Sequence, residues 1–460
     1  MVWPAVSRPL LIVLIFGVAL RAALFVSAVT QGDAVFLRSN DSPLYLTAAQ
    51  NLRQYGVFSE YPGDPPTPTM LHLPGYPLFL AATMAANAAP WFTALVQQLL
   101  SLATIALAFL VMDAVFGRRV AFWSSLLYGL EPFTVLQANL LMSDTLFVTL
   151  LMLAFYCYVR AWTRGWPWLA GCGVTLAAAT YVRFSGIYLA GLLMVWWLFG
   201  HGKVDLRRAL VGTLVMVVVI GGLLSPWIVR NGRQFGLWKL TMQSNFLLLF
   251  FHANQAQALR EGKTPGQVRG ELIREWEALP NDERVRDAFA GRRAREILLS
   301  EWRSYVPLYI IKTTPFFLQS GWRDVAESVG LPSGERPVDI TTALTRRQWG
   351  TVVGALTRTD APSLAHLAGM VFGAVITLLA LAGTFAARRL SPPARTFAFL
   401  FAAAIVLTAL LSSPLSHARY RQPVQPQLFA LAVAGIFGLA AAVGKHRADR
   451  AQHNAQVQSE

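Results

Sequence analysis

The sequence predicts an all-α polytopic membrane protein, a bundle of about 10–12 transmembrane helices with a helical first loop and a larger helical loop on one side. Three observations predict it. First, 55% of the 460 residues are hydrophobic and only 14% are charged, where a soluble domain carries about 25% charged residues; the mean hydropathy is +0.46. Second, long apolar runs recur from residue 9 to residue 443. Third, basic residues gather in alternate turns, as the positive-inside rule requires of a chain that crosses a bilayer repeatedly.

Taken in order, the apolar runs place spans at 10–29, 94–116, 120–138, 145–159, 166–181, 186–199, 209–229, 364–386, 396–411 and 424–443. The first is read as an uncleaved helix, because its apolar run is long for a signal peptide; a cleaved signal is the alternative. Arg118 and Arg119, Arg160 and Arg164, Lys203 with Arg207 and Arg208, and Arg388, Arg389 and Arg395 occupy alternate turns. Lys445, Arg447 and Arg450 follow the last span. Together with Arg8 they put both termini in the cytoplasm. The stretch "YVPLYIIKTTPFFL" (305–318) holds Lys312 and two prolines, and a crossing there would reverse this charge pattern. It is read as interfacial or re-entrant. The chain then divides into an N-terminal membrane module (1–229) with a first outer loop at 30–93, an outer helical region (230–363), and C-terminal membrane helices with a tail (364–460).

The formal net charge of +15 is accounted for by these cytoplasmic turns and by anionic-lipid or phosphate binding; no nucleic-acid partner is expected. Two cysteines, Cys157 and Cys172, lie inside apolar runs and supply no disulfide framework. The Ala-rich, Arg-over-Lys composition suits a high-GC bacterium, and the expected location is its inner membrane. Within the outer region, 264–302 mixes charge with helical apolar spacing and reads as an amphipathic helical pair, with Thr264–Pro265 as cap and first position.

The outer side carries the candidate chemistry. In "SNDSPLYLTAAQNL" (39–52), Asp41 or Ser42 can cap a helix entering at Pro43, and Asp41 can equally serve as a base. "LHLPGYPLFLAA" (71–82) breaks at Pro74, Gly75 and Pro77, then resumes as a surface helix. Glu131 lies deep enough in the third span to need a partner or a wet cavity. Asp144, in "LLMSDTLF" (140–147), opens the fourth span, where the helix dipole alone would favour it. Arg183 stands in the tight outer turn "YVRFSG" (181–186), and Arg230 ends "SPWIVR" (225–230). "SSPLSHARYRQPVQP" (412–426) crowds His417, Arg419 and Arg421 before the last span. Three basic side chains there want an anion, and Arg forks match phosphate; lipid headgroups are the plainer occupant.

Five of these segments, "NDSPLYLTAAQNL" with Tyr55–Gly56, "LHLPGYPLFLA", "LLMSDTLF", "SPWIVRN" with Phe235–Gly236, and "RYRQPVQPQLFALAVAG", occur in an order that resembles the GT-C superfamily of integral-membrane glycosyltransferases. The branch they are similar to contains the protein O-mannosyltransferases and the aminoarabinose transferase of lipid A (glycosyltransferase family 39-like). The resemblance implies a GT-C-like helical bundle, a catalytic carboxylate at Asp41, and juxtamembrane helices at 43–54 and 77–88. It also implies a polyprenyl-phosphate sugar donor, inversion at the anomeric carbon and no metal cofactor, with a divalent cation as the alternative. Three positions depart from the pattern. One carboxylate stands where an adjacent acidic pair is common, His72 replaces the basic residue before Pro-Gly-Tyr-Pro, and Asp144 stands where Glu is common.

Transfer from a polyprenyl phosphate needs a base for the acceptor hydroxyl and cations for the leaving phosphate. Asp41 is the candidate base. Arg183, Arg230, His417, Arg419 and Arg421 are the candidate phosphate ligands. Tyr45, His72, Tyr76, Glu131, Asp144 and Tyr420 are candidates for holding the acceptor or orienting the others. The expected partners are the lipid-linked sugar, membrane lipids, and an acceptor lipid, glycan or protein. A transporter or flippase for a lipid-linked or anionic solute and a non-catalytic envelope-assembly protein are the competing classes.

Overall fold

A computed structural model describes residues 7–200, 206–332 and 348–440. Those residues form helices and turns, with no strand among them. The chain begins with α1 (Arg8–Thr30), a short turn of helix at Asp33–Leu37, and the two loop helices α2 (Ser42–Tyr55) and α3 (Gly75–Ala86). There follow α4 (Pro90–Phe116), α5 (Arg118–Leu130), α6 (Pro132–Asn139), α7 (Asp144–Arg164), α8 (Trp166–Val182), α9 (Gly186–Phe199) and α10 (Leu206–Phe235). A second helical region comprises α11 (243–261), α12 (Pro265–Glu277), α13 (Glu283–Ser300), α14 (Trp302–Leu318) and α15 (Trp322–Ser328). The C-terminal part holds α16 (Trp349–Leu356), α17 (Ala361–Ala386), α18 (Pro392–Ser412) and α19 (Ala418–Ala440).

Seven of the described helices are long and apolar enough to cross a membrane: α1, α4, α7, α10, α17 with the turn to Arg389, α18 and α19. The chain is therefore a multi-pass helical membrane protein. The remaining predicted spans fall on shorter helices. That at 120–138 is two helices rather than one, because Pro132 cannot continue α5. Glu131 instead caps α6, its Oε2 accepting the Thr134 N–H at 2.7 Å. Those at 166–181 and 186–199 are α8 and α9, of 17 and 14 residues. The sharp reversals before α5 and α8 are made by Gly117 and Gly165 at φ 84° and 85°, values that cost a side-chain-bearing residue strain.

One apolar core joins the helices of the N-terminal module to α18 and α19, with large buried rings such as Phe109, Phe155, Tyr158, Trp197 and Phe401. Inside it, Arg21 of α1 is 2% exposed. Its guanidinium donates to the carbonyls of Gly17 and Gly129 at 3.2 and 2.9 Å and to Ser101 Oγ at 2.8 Å, so a charge at membrane depth is spent on tying α1, α4 and α5 together. A separate small core of Leu249, Phe250, Val268, Leu272, Ala290 and Ile297 holds α11, α12 and α13. The expected amphipathic pair is α12 and α13, and Thr264 makes a full capping box with Gln267.

The segment 305–318 is the body of α14, which is not among the seven. It packs against the end of α18, where Ser413 Oγ donates to Tyr309 O at 2.9 Å and the Tyr309 hydroxyl donates to Leu410 O.

The loop helix α3 sits tightly against the end of α8. A Cβ on Gly75 would lie 2.5–2.7 Å from the backbone of Tyr181 and Val182, atoms that no rotamer change can move. Gly75→Ala is expected to cost about 1–3 kcal/mol by overpacking. The check is the thermal midpoint of the purified protein; an unchanged midpoint would mean that α3 is free to shift.

Candidate active site

The first loop is fastened to the α6–α7 connection by polar contacts. Leu141 N–H donates to Phe36 O at 2.9 Å, Ser42 Oγ to Leu141 O at 3.0 Å, and the Tyr45 hydroxyl meets Ser143 Oγ at 3.3 Å. This brings the start of α2 beside the start of α7, and so Asp41 beside Asp144. The first turn of α19 closes the site. Arg419 donates through Nε to Asp144 Oδ2 at 2.9 Å and through both terminal nitrogens to Asp41 Oδ2 at 3.2 and 3.1 Å. Arg183, at the end of α8, donates to Asp144 Oδ1. Two carboxylates and two guanidiniums thus alternate in one chain, Asp41–Arg419–Asp144–Arg183.

The two carboxylates differ. The Asp144 side chain is 1% exposed and ion-paired on both oxygens. Asp41 is 46% exposed, and only its Oδ2 is engaged among the described residues. Asp41 occupies the cap position of α2, yet its side chain makes no capping hydrogen bond. The expected capping role is corrected: the carboxylate turns to Arg419, a stronger charge-assisted partner. Of the five N–H groups of Arg183, one is spent on Asp144. The Tyr420 ring lies 5.9 Å from both guanidinium carbons. Tyr45 is braced edge-on by Tyr76 at 4.9 Å, and Tyr76 is itself buried, its hydroxyl donating to Gln97 Oε1 at 2.8 Å. Burial raises the Tyr45 phenol, outweighing the lowering by Arg183, so it stays a hydrogen-bond donor.

Four predicted residues lie outside this cluster. Arg230 donates to Thr69 O at 2.9 Å and to its neighbour Asn231, between the rings of Trp227 and Phe235. Arg421, 4% exposed, donates to the carbonyls of Phe316 and Phe317, each at 3.1 Å. Glu131 caps α6 and accepts from the Trp322 indole at 2.9 Å. His417 caps the turn that carries Arg419, accepting its N–H at 3.3 Å, and packs against Phe133.

Sequence reading missed Glu60. Its side chain is 4% exposed and its Oε1 lies 2.5 Å from His72 Nδ1, and His72 in turn meets the Tyr45 ring at 6.4 Å. No periodic pattern marks Glu60; the only signal was an acidic residue among turn-forming prolines and glycines. Burial pushes the His72 imidazole down, but the charge and hydrogen bond of Glu60, with a smaller contribution from Asp41, more than reverse this, and the net direction is up. A raised imidazole contributes stability that is fully present below about pH 6.5 and is lost as pH rises through the folded value. The thermal midpoint of the wild type should therefore fall across that window. In His72→Asn the fall should be shallower; identical pH profiles would remove the ion pair from the account.

Below Asp144 and Arg183, an apolar groove of about 270 Å³ runs between α3, α7 and α8, lined by Leu78, Leu146, Leu150 and Tyr181 among others. Among the described residues no group of three or more His, Cys, Asp or Glu side chains converges as a metal-ligand set.

Residues 71–229 match the family model described as dolichyl-phosphate-mannose-protein mannosyltransferase. No curated protein matches the chain. Among solved structures, it is similar to the archaeal oligosaccharyltransferase AglB from Archaeoglobus fulgidus in complex with an inhibitory peptide and a dolichol-phosphate. The identity is 14% and the TM-score 0.53, covering 97% of this chain and 51% of that one. The apo form of an oligosaccharyltransferase from Archaeoglobus fulgidus gives 17% and 0.51, with the same coverage. ArnT from Cupriavidus metallidurans bound to undecaprenyl phosphate gives 14% and 0.41, covering 92% and 77%. The chain spans about half the length of the archaeal proteins, and at these identities the likeness is one of fold. Over residues 71–229 the chain is thus similar to that mannosyltransferase family, and over 97% of its length it shares the fold of the archaeal oligosaccharyltransferase.

Proposed function

We propose that the protein moves a sugar from a polyprenyl-phosphate donor to an acceptor hydroxyl at the outer face of a bacterial inner membrane. The single observation that carries this reading is the half-exposed Asp41 carboxylate joined through Arg419 to the buried Asp144–Arg183 pair. Asp41 takes the acceptor's hydroxyl proton. The acceptor oxygen forms the new bond to the anomeric carbon as the carbon–oxygen bond to phosphate breaks, and that electron pair leaves on the phosphate. One displacement inverts the anomeric centre. Arg419 and Arg183 stand where the phosphate charge grows, and preorganised cations there lower the barrier. Asp144 holds both of them and keeps the pair from repelling. Tyr45 and Tyr420 line the same space. The groove beside Leu146 and Leu150 suits a prenyl chain at membrane depth, and the AglB structure is recorded with a dolichol-phosphate.

Arg230, Arg421 and His417 are engaged elsewhere, so the phosphate role is assigned to Arg183 and Arg419. The competing transporter reading used Glu131 and Arg183 as intramembrane sites; Glu131 is committed to capping and to Trp322, and Arg183 is paired with Asp144.

The test incubates membranes carrying the protein with a panel of polyprenyl-phosphate sugars and follows donor loss and free polyprenyl phosphate by mass spectrometry. Release of polyprenyl phosphate above empty membranes supports the reading. Solute flux into proteoliposomes with the donor chemically unchanged would overturn it in favour of transport.

A further inference from the structure

Helix α14 is amphipathic the wrong way round for water. Between Ser304 and Leu318 its only charged residue is Lys312, and that side chain is 8% exposed. Two tyrosines also turn inward: the Tyr305 hydroxyl meets His252 Nδ1 at 2.6 Å, and Tyr309 reaches the end of α18. The outward face is apolar. Trp302, Val306 and Ile310 recur at every fourth position and so lie along one side of the helix. All three are exposed, Ile310 by 64%, and exposed Pro307 and Ile311 flank them. A helix at a water surface turns its polar residues out and its apolar ones in. The reverse order is the one that hydrocarbon outside requires.

The contacts of α14 fix its depth. The short connection 413–417 joins α18 to α19, so the end of α18 and the start of α19 lie on the same face of the membrane. Tyr309 is bonded to the first, through Leu410 O and Ser413 Oγ. The carbonyls of Phe316 and Phe317 hold Arg421 at the second. These points are about 10 Å apart along the helix, so α14 runs beside that face and does not cross. Its last turn dips inward: a Cβ on Gly373, midway along α17, would lie 2.7 and 2.8 Å from the carbonyl oxygens of Phe317 and Leu318. At the opposite end stand Trp302 and Arg303, the guanidinium 5.5 Å from the indole ring, residue types that settle among headgroups.

We propose that α14 lies in the membrane surface on the face of the charged cluster, with Val306, Ile310 and Ile311 against lipid acyl chains. Continuity identifies the occupant. The Tyr309 bond joins α14 to Leu410, and Val406 and Leu410 form an exposed apolar stripe of their own on α18. Since α18 is long and apolar enough to cross the membrane, the α14 stripe extends a surface that lipid already covers. Lipid thereby seats the helix whose C-terminal carbonyls hold Arg421, two positions from Arg419 of the cluster. The inference rests on the membrane architecture and stands apart from the transferase reading.

Nitroxide labels on single introduced cysteines of the full chain in lipid nanodiscs test this. Native Cys157 and Cys172 are buried, and labelling of the unmodified chain sets the background. The measured quantity is the ratio of collisions with oxygen to collisions with a water-soluble nickel chelate. At Val306→Cys and Ile310→Cys it should exceed that at Arg295→Cys, exposed on α13, at least about threefold, because a hydrated chelate is kept out of hydrocarbon. It should approach the ratio at Leu378→Cys, which is exposed on α17. A ratio equal to that of Arg295→Cys would put the stripe in water and overturn the proposal. Shielding from both reagents would show that protein covers it, with the same consequence. A membrane-impermeant maleimide then checks sidedness. Ser304→Cys and Val329→Cys, at exposed positions near the start of α14 and beyond its end, should label in the same vesicle orientation. Labelling in opposite orientations would mean that α14 crosses, and the surface placement would fall.

Discussion

Membranes carrying Asp41→Asn should release polyprenyl phosphate at least about 10²-fold more slowly than wild type, within the 10²–10⁴-fold range of a positioned general base. The fold should survive. Asp41 is half-exposed, forms no cap on α2, and contributes only one hydrogen-bonded oxygen, to Arg419. Asparagine keeps that oxygen and removes the basicity. The effect should sit in the turnover rate rather than in donor affinity, because the donor phosphate is assigned to the arginines. Two readouts check this: initial rates of phosphate-lipid release, and the thermal midpoint of the purified variant. Wild-type rates in Asp41→Asn would move the base elsewhere. Glu60 is then the next carboxylate on the same loop, already bonded to His72.

Arg419→Ala should be the more damaging change to the fold. It leaves the buried Asp144 with Arg183 alone and Asp41 with none of its present partners. Breaking a buried pair by removing one member costs about 3–5 kcal/mol, because a charge is stranded in a poor solvent. The double variant Asp144→Asn with Arg419→Gln should recover much of that stability, since no buried carboxylate then lacks its counter-ion. It should not recover transfer, because the cation facing the phosphate is gone. Arg419→Lys should fall between them, since a lysine is a compact point charge and cannot bridge two carboxylates as a fork does. Thermal midpoints and release rates for the three variants form the check. A double variant no more stable than Arg419→Ala would show that packing by the Arg419 side chain matters more than its charge.

Much of this site was legible as short local patterns. Asp41 before Ser-Pro, Asp144 before an apolar helix, and the basic residues of 417–421 were each visible on their own. So were the two loop helices, observed at Ser42–Tyr55 and Gly75–Ala86, because the proline and glycine punctuation that starts and stops them is local chemistry. The Thr264 capping box was legible for the same reason. Glu60 was not, since its importance comes from being buried against His72, twelve positions away across a loop without period.

The membrane class and helical architecture were determined by the sequence alone. A bilayer leaves no water to satisfy a backbone, so long apolar runs must become helices, and their ends are marked by charge, proline and glycine. Which cations form the site was decided only by the tertiary structure. Asp41 and Arg419 are 378 residues apart, and Asp144 and Arg419 are 275 apart. Arg419 and Arg421 are nearly adjacent in one basic loop and look equivalent on paper. Two residues apart on a helical turn they face about 200° from each other. The packing of α19 turns Arg419 toward the carboxylates and Arg421 toward the carbonyls of Phe316 and Phe317. That choice depends on how distant helices dock, which no local pattern encodes.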